Sequence, residues 1–205
     1  MKNWIYILLS VILFPLVGMV SSCSEEDSSE DEFANWEERN SATTDQWAAN
    51  SSLRKIRVFT QDDTTAGRNC DYIYVEVLEA GEGTESPLYT DTVRMAYRGR
   101  LIPTTNYANG FVFDETYVGD FSWHTAGVAT MAISGTKSSL VSGFATAMMN
   151  MHRGDRWRVY IPYQLGYNTS SSGSVTAYSN LIFDIALLDY WSAGDPHPAF
   201  RARLR

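Results

Sequence analysis

The chain has 205 residues, 44% of them hydrophobic, with 24 acidic and 16 basic side chains and a formal net charge of −8. That length suits one ordinary domain with accessories, and no basic stripe is present to neutralise phosphates, which argues against nucleic-acid binding. The three histidines lie far apart at His124, His152 and His197, no Cys/His cluster has metal spacing, and there is no phosphate-binding glycine loop or nucleophile elbow, so the chain is expected to need neither metal nor cofactor.

Lys2 precedes an apolar run from Trp4 to Val20, the charged start and apolar middle of a secretory signal peptide. The alternative is an uncleaved anchor helix, which needs about 20 apolar residues with anchoring flanks; this run carries Ser10, Pro15 and Gly18. Val20-Ser21-Ser22-Cys23 follows at once and resembles the lipobox of bacterial lipoproteins. The resemblance implies that residues 1–22 are removed and that the Cys23 thiol is lipidated, with enough acyl chain for stable anchoring. It places the protein at the bacterial envelope, lipid-anchored and expected in the outer membrane. Cys70 is then the one remaining thiol, without an internal disulfide partner, and is expected to be a small structural residue.

Residues 24–38 hold eight acids and no base, which leaves 16 acids against 15 bases from Arg39 onward. Such an acid run reads as a solvated, self-repelling tether; it also resembles the surface-export signal of some Gram-negative lipoproteins, which implies surface exposure. Residues 33–50, with Phe33, Trp36 and Trp47 and no Pro or Gly, predict a helical lead-in. The expected organisation is a signal peptide over 1–22, a lipidated tether and lead-in over 23–52, a domain over 53–191 and a tail over 192–205.

Within the domain, Leu53–Phe59 alternates imperfectly and suits an edge strand, and Tyr72–Leu78 is rich in β-branched and aromatic residues. Residues 91–101 set Val93, Met95 and Tyr97 against Thr92, Arg94 and Arg98, a half-buried strand. Short strands are expected at 111–113 and 128–133. Leu140, Val141, Phe144, Ala147, Met148 and Met151 fall on one face of a helix that Gly154 would end. Two further strands are expected at 157–161 and 181–191, with a Ser/Thr-rich loop between them. Runs of strands around a single helix predict an α+β fold: an antiparallel sheet of about five or six strands wrapped on a short central helix.

Several short motifs in this order resemble the FKBP-type peptidyl-prolyl cis/trans isomerases over about residues 72–191. Val93-Arg-Met-Ala-Tyr97-Arg-Gly99-Arg-Leu101 is similar to the family's V-x-V-x-Y-x-G-x-L strand, and Gly110-Phe-Val-Phe113-Asp114 to G-x-x-F-D. Leu140-Val141-Ser-Gly143-Phe144 resembles V-I-x-G-W, Met151-His-Arg-Gly154 the M-x-x-G turn, Ile161-Pro162-Tyr-Gln-Leu165-Gly-Tyr167 the I-P-x-x-L-A-Y segment, and Leu181-Ile-Phe183 the closing strand.

The resemblance implies rotation about Xaa–Pro bonds of exported polypeptides, with no covalent intermediate. It assigns catalytic positions to Tyr97, Phe113, Asp114, Val141, Phe144 and Tyr167, and substrate-binding positions to Leu140, Val175 and Phe183. Phe144 becomes the floor under the proline ring, Tyr97, Phe113 and Phe183 the walls, and Leu140, Val141 and Val175 the rim. The Val141 N–H and the Tyr167 hydroxyl become donors to substrate carbonyls, and Asp114 shapes the local field. Asn168 departs from the family's Gly, Thr176-Ala177 from its I-P-P, and Met131-Ala-Ile133 from its phenylalanines. These departures keep a second reading open, a non-catalytic proline-peptide-binding or chaperone module, beside a third, a structural lipoprotein without ligand. Nothing in the residues indicates an oligomeric state or a client.

Overall fold

The computed structural model describes residues 32–62, 64, 66–134 and 140–198. The expected signal peptide, Cys23, most of the acidic run and the end of the tail lie outside the described residues.

One sheet of seven antiparallel strands organises the fold, in the order β1-β2-β6-β7-β3-β4, with β5 also paired to β3. The strands are β1 Arg54–Arg57, β2 Tyr72–Glu79, β3 Thr92–Arg100, β4 Val112–Glu115, β5 Ala129–Ala132, β6 Arg156–Ile161 and β7 Leu181–Trp191. The α+β class holds, with one strand more than expected, because the edge segment β1 and the short β4 and β5 all join the same sheet. β5 pairs with Thr92–Met95 and β4 with Arg98–Arg100, so two short strands share one edge of β3. β7 runs between β6 and β3 and pairs with β3 from Thr92↔Trp191 to Arg100↔Ile182.

Alternation decides which side chains enter the core. On β6 every second residue is buried, and these are Trp157, Val159 and Ile161. They join Ile73, Val93, Met95, Leu181, Ile185 and Leu187 in the main core. A fully buried side chain of this size contributes about 1.5–3 kcal/mol. Ala96 and Ala186, cross-strand partners, belong instead to a smaller cluster with Tyr117 and Ala126, against which Phe121 and Trp123 pack.

Helix α2 covers only Ser142–Met148, shorter than the expected 140–151, and residues Gly143–Met148 are all buried. Neighbours surround it, so its polar groups are satisfied within the protein. The Thr146 hydroxyl donates to Ser142 O (2.7 Å), Asn150 Nδ2 donates to Thr146 O (2.8 Å), and the Ser142 hydroxyl donates to Leu165 O (3.2 Å). The helix therefore stops six residues before Gly154, which has φ +90° and sits in the turn leading to β6, its N–H donating to Leu187 O at 2.8 Å.

The lead-in is helix α1, Trp36–Ala49. Its docking is largely polar: Trp36, Asn40 and Thr44 are its buried residues, and Trp36 Nε1 donates to the Ser179 hydroxyl at 2.8 Å. The Trp47 ring lies 5.2 Å from that of Tyr160, tilted by 48°. Glu32, within the acidic stretch, is 7% exposed and accepts from Asn106, so this end of the stretch is packed rather than solvated. Among the described residues, no helix is long and apolar enough to cross a membrane, and no three His, Cys, Asp or Glu side chains are grouped to hold a metal ion.

Candidate functional site

A cleft of about 190 Å³ opens between α2, β3, β4 and β5 and is lined by Met95, Tyr97, Phe113, Asp114, Met131, Leu140, Val141, Phe144, Tyr167 and Phe183. It is smaller than the roughly 300–1,000 Å³ of pockets for drug-sized ligands, and suits one small ring with its flanking backbone.

Each strand supplies its wall residue for a local reason. Tyr97 lies on the same side of β3 as Val93 and Met95, in the main core. On β4, Gly99 pairs with Asp114 while Arg100 pairs with Val112, which leaves Phe113 as the extra residue of a β-bulge. Bulges re-aim side chains in this way, and Phe113 turns into the cleft. Gly99 makes room for it: a Cβ there would lie 2.5 Å from Phe183 Cε1 and 2.6 Å from Phe113 Cζ.

The aromatic rings meet edge to face. Phe144 and Phe183 have centroids 4.9 Å apart at 86°, Phe113 and Phe183 5.4 Å at 89°, and Tyr97 and Phe144 6.1 Å at 81°. This geometry places ring edges against the negative faces of neighbours. Phe144 is 3% exposed and forms the base. Gly143, one residue earlier, allows α2 to approach β6, since a Cβ there would lie 2.4 Å from Ile161 Cγ2.

Polar groups are few. The Tyr97 hydroxyl donates to Asp114 Oδ2 at 2.7 Å. Burial above all, then the hydrogen bond and charge of Asp114, push the Tyr97 phenol well above the ordinary tyrosine range, so it stays protonated. Tyr167 is 36% exposed, and among the described residues its hydroxyl has no hydrogen-bond partner. Nor does any described group accept from the Val141 N–H, which precedes α2 at its N-cap position. The cleft thus offers an apolar base, aromatic walls and two donors able to meet a carbonyl oxygen.

Eight of the nine candidate positions come together in this way. Val175 stands apart: it is 2% exposed, packs in the main core and bridges to Ser172, off the lining of the cleft. Two lining residues, Met95 and Met131, carried no site signal beyond their alternation in strands; Met131 occupies a stretch where phenylalanines were expected. Asn168, where glycine was expected, has φ +57°, a left-handed conformation that asparagine tolerates better than most residues. Cys70 lies elsewhere, and burial pushes its thiol up, which suits a structural residue rather than a nucleophile.

A family model described as FKBP-type peptidyl-prolyl cis-trans isomerase matches residues 83–188. The peptidyl-prolyl cis-trans isomerase Mip of Coxiella burnetii is 33% identical over 114 residues, 55% of this chain and 42% of that protein. Outer membrane protein MIP of Legionella longbeachae is 32% identical over 115 residues, again 55% and 42%. The chain therefore spans less than half the length of these relatives. The crystal structure of FkpA from Escherichia coli superposes with a TM-score of 0.57 at 23% identity, over 81% of this chain and 64% of that one, a likeness of fold.

Proposed function

The chain belongs to the FKBP-type peptidyl-prolyl cis-trans isomerases, and from that membership we propose that it accelerates cis/trans rotation about Xaa–Pro bonds of polypeptides at the bacterial envelope. The observation that carries this reading is the apolar, aromatic-walled cleft closed below by Phe144, with Tyr167 and Val141 presenting at its rim donors that have no partner among the described residues.

The chemistry follows from amide resonance. Resonance sets a barrier of about 18–20 kcal/mol, so uncatalysed exchange takes on the order of tens to hundreds of seconds. In the twisted transition state resonance is lost and the amide is less charge-separated than when planar. A dry apolar surround favours that state over the planar ground state. Phe144 supports the prolyl ring, and Tyr97, Phe113 and Phe183 exclude water from it. The Val141 N–H and the Tyr167 hydroxyl hold carbonyls flanking the bond, which keeps the rest of the peptide still while one bond turns. The Tyr97 hydroxyl keeps its proton and donates it in a hydrogen bond to Asp114 Oδ2, which orients the carboxylate towards one wall of the cleft.

Protease-coupled turnover of a proline tetrapeptide by residues 32–205 tests this. Acceleration well above the uncatalysed rate supports it. Binding of proline peptides without acceleration supports instead the non-catalytic binding module, a reading favoured by the exposed, polar Thr169–Gly173 that follows Tyr167 in the chain.

The envelope location rests on the sequence that precedes the fold. Val20-Ser21-Ser22-Cys23 after the apolar run supports lipidation at Cys23 and anchoring in the outer membrane, and the acidic run that follows supports presentation at the cell surface. Radiolabelled palmitate should label the full-length protein and not Cys23→Ala; equal labelling of both would overturn the anchor.

A further inference from the structure

Helix α1 lies outside the matched family region of 83–188, yet it reaches the segment that carries Tyr167. The link is a pair of asparagines, Asn40 on α1 and Asn180 before β7, both 0% exposed. The Asn180 N–H donates to Asn40 Oδ1 at 2.8 Å, and Asn180 Nδ2 donates to Asn40 O at 2.7 Å and to the Thr44 hydroxyl at 3.1 Å. Asn40 Nδ2 donates to Trp36 O at 2.7 Å. Asn180 Oδ1 then accepts from the Tyr163 N–H at 2.8 Å. Tyr163 O in turn accepts from the Asn168 N–H at 2.8 Å, and Asn168 O accepts from the Tyr178 N–H at 2.8 Å. Asn168 directly follows Tyr167 in the chain. A second brace joins the same two elements, since the Tyr163 hydroxyl donates to Glu37 Oε1 at 3.4 Å.

We propose that Asn40 is a positioning residue for the isomerase site: through Asn180 and Tyr163 it sets the geometry of the loop that presents the Tyr167 hydroxyl. Three features support a role beyond fold stability. The pair is fully dry, so its geometry is enforced by the cost of leaving any of these groups unpaired. Beyond α1, the pair holds the Tyr163 N–H, and the Tyr163 carbonyl in turn receives the Asn168 N–H at the start of the loop. That loop is otherwise exposed from Asn168 to Ser174 and contains two non-glycine residues in left-handed conformation, Asn168 at φ +57° and Tyr178 at φ +63°. Such conformations persist when surrounding contacts over-determine them. α1 thereby becomes part of the site although no α1 side chain lines the cleft.

The inference rests on the reading of Tyr167 as a substrate-holding hydroxyl, and two measurements separate the two ideas. The first is a double-mutant cycle on the full chain, scored by kcat/KM for a proline tetrapeptide. Tyr167→Phe alone should reduce kcat/KM by roughly 2- to 10-fold, the worth of one hydrogen bond. In an Asn40→Ala background the same substitution should change kcat/KM by less than about 1.5-fold, because the hydroxyl is already misplaced. An equal fold-change in both backgrounds would overturn the proposal, since a merely structural residue scales both rates alike. The second is amide hydrogen exchange well below the melting temperature. Asn40→Ala should speed exchange at Asn168 and Tyr178 at least 10-fold relative to the amides of β3, and uniform change across both sets would overturn it. Should Asn40→Ala not fold, Thr44→Val removes one acceptor of Asn180 at nearly constant volume and is read in the same two ways. If the parent shows no turnover, the function fails while the exchange experiment still decides the positioning.

Discussion

The Tyr97 hydroxyl donates to Asp114 Oδ2 at 2.7 Å, across the β3–β4 edge of the cleft. This bond ties a residue of the central strand to a carboxylate carried just beyond the Phe113 bulge, and so keeps an otherwise exposed acid registered against an aromatic wall.

Asp114→Asn keeps the shape and removes the charge. The Tyr97 phenol should titrate at lower pH than in the parent, though still above an ordinary tyrosine, because burial is the larger cause of its shift. Ring carbon NMR of Tyr97 reads this directly, and no movement would show that the carboxylate does not act on the hydroxyl. The sign for stability follows from the same shift. A phenol whose folded value is raised contributes stability that is intact below its unfolded value near 10 and is lost as pH climbs above it. Burial also raises Tyr74, to about 12, so the melting temperature should hold between about pH 7 and 9 and fall above about pH 10.

Tyr167→Phe and Phe144→Ala should part company. The Tyr167 hydroxyl is partly exposed and unpartnered among the described residues, so its loss should cost transition-state stabilisation of about 0.5–1.5 kcal/mol with the melting temperature unchanged. Phe144 is 3% exposed beneath the cleft, and its truncation should destabilise by about 3–5 kcal/mol and remove turnover. Turnover assays beside thermal melts check both. Parent-like turnover in Tyr167→Phe would leave that hydroxyl outside the mechanism.

Gly99→Ala tests the space between two rings. The added methyl would collide with Phe183 and Phe113 at 2.5–2.6 Å, so it should cost about 1–3 kcal/mol as overpacking and weaken binding of a proline peptide by more than 10-fold. Calorimetry and titration of the peptide measure the two effects; parent-like affinity would show that the rings can separate without closing the cleft.

Shortening the chain from its start should matter only once the packed segment is reached. Chains beginning at residue 32 or at residue 24 should melt within a degree or two of each other. Trp36→Ala, which removes a side chain 6% exposed and its hydrogen bond to Ser179, should cost about 3–5 kcal/mol, or roughly 6–20 °C at about 2–4 °C per kcal/mol for a chain of this size. A smaller drop would mean that α1 adds little to the folded body.

The strands, the central helix and most of the cleft were legible from local pattern. Alternation in 91–101 marks Val93, Met95 and Tyr97 as one face because a pleated strand has a period of two wherever it lies, and the ordered motifs from Tyr97 to Phe183 identify the family. Other features left no such trace. The length of α2 was overestimated because a helix buried all round stops where its neighbours stop, not where its apolar spacing ends. Phe113 turns into the cleft through a bulge in its pairing with β3, and Val175 packs in the main core off the cleft lining; both outcomes depend on partners distant in sequence. The Asn40–Asn180 pair is the clearest case, with its members 140 residues apart and an asparagine on a polar helix outwardly indistinguishable from a solvated one. Periodicity reports which face of an element is apolar, and these residues mark it in advance; which polar groups satisfy one another in the dry interior is decided only when the packed chain brings them within hydrogen-bonding distance and removes the water that could have served instead.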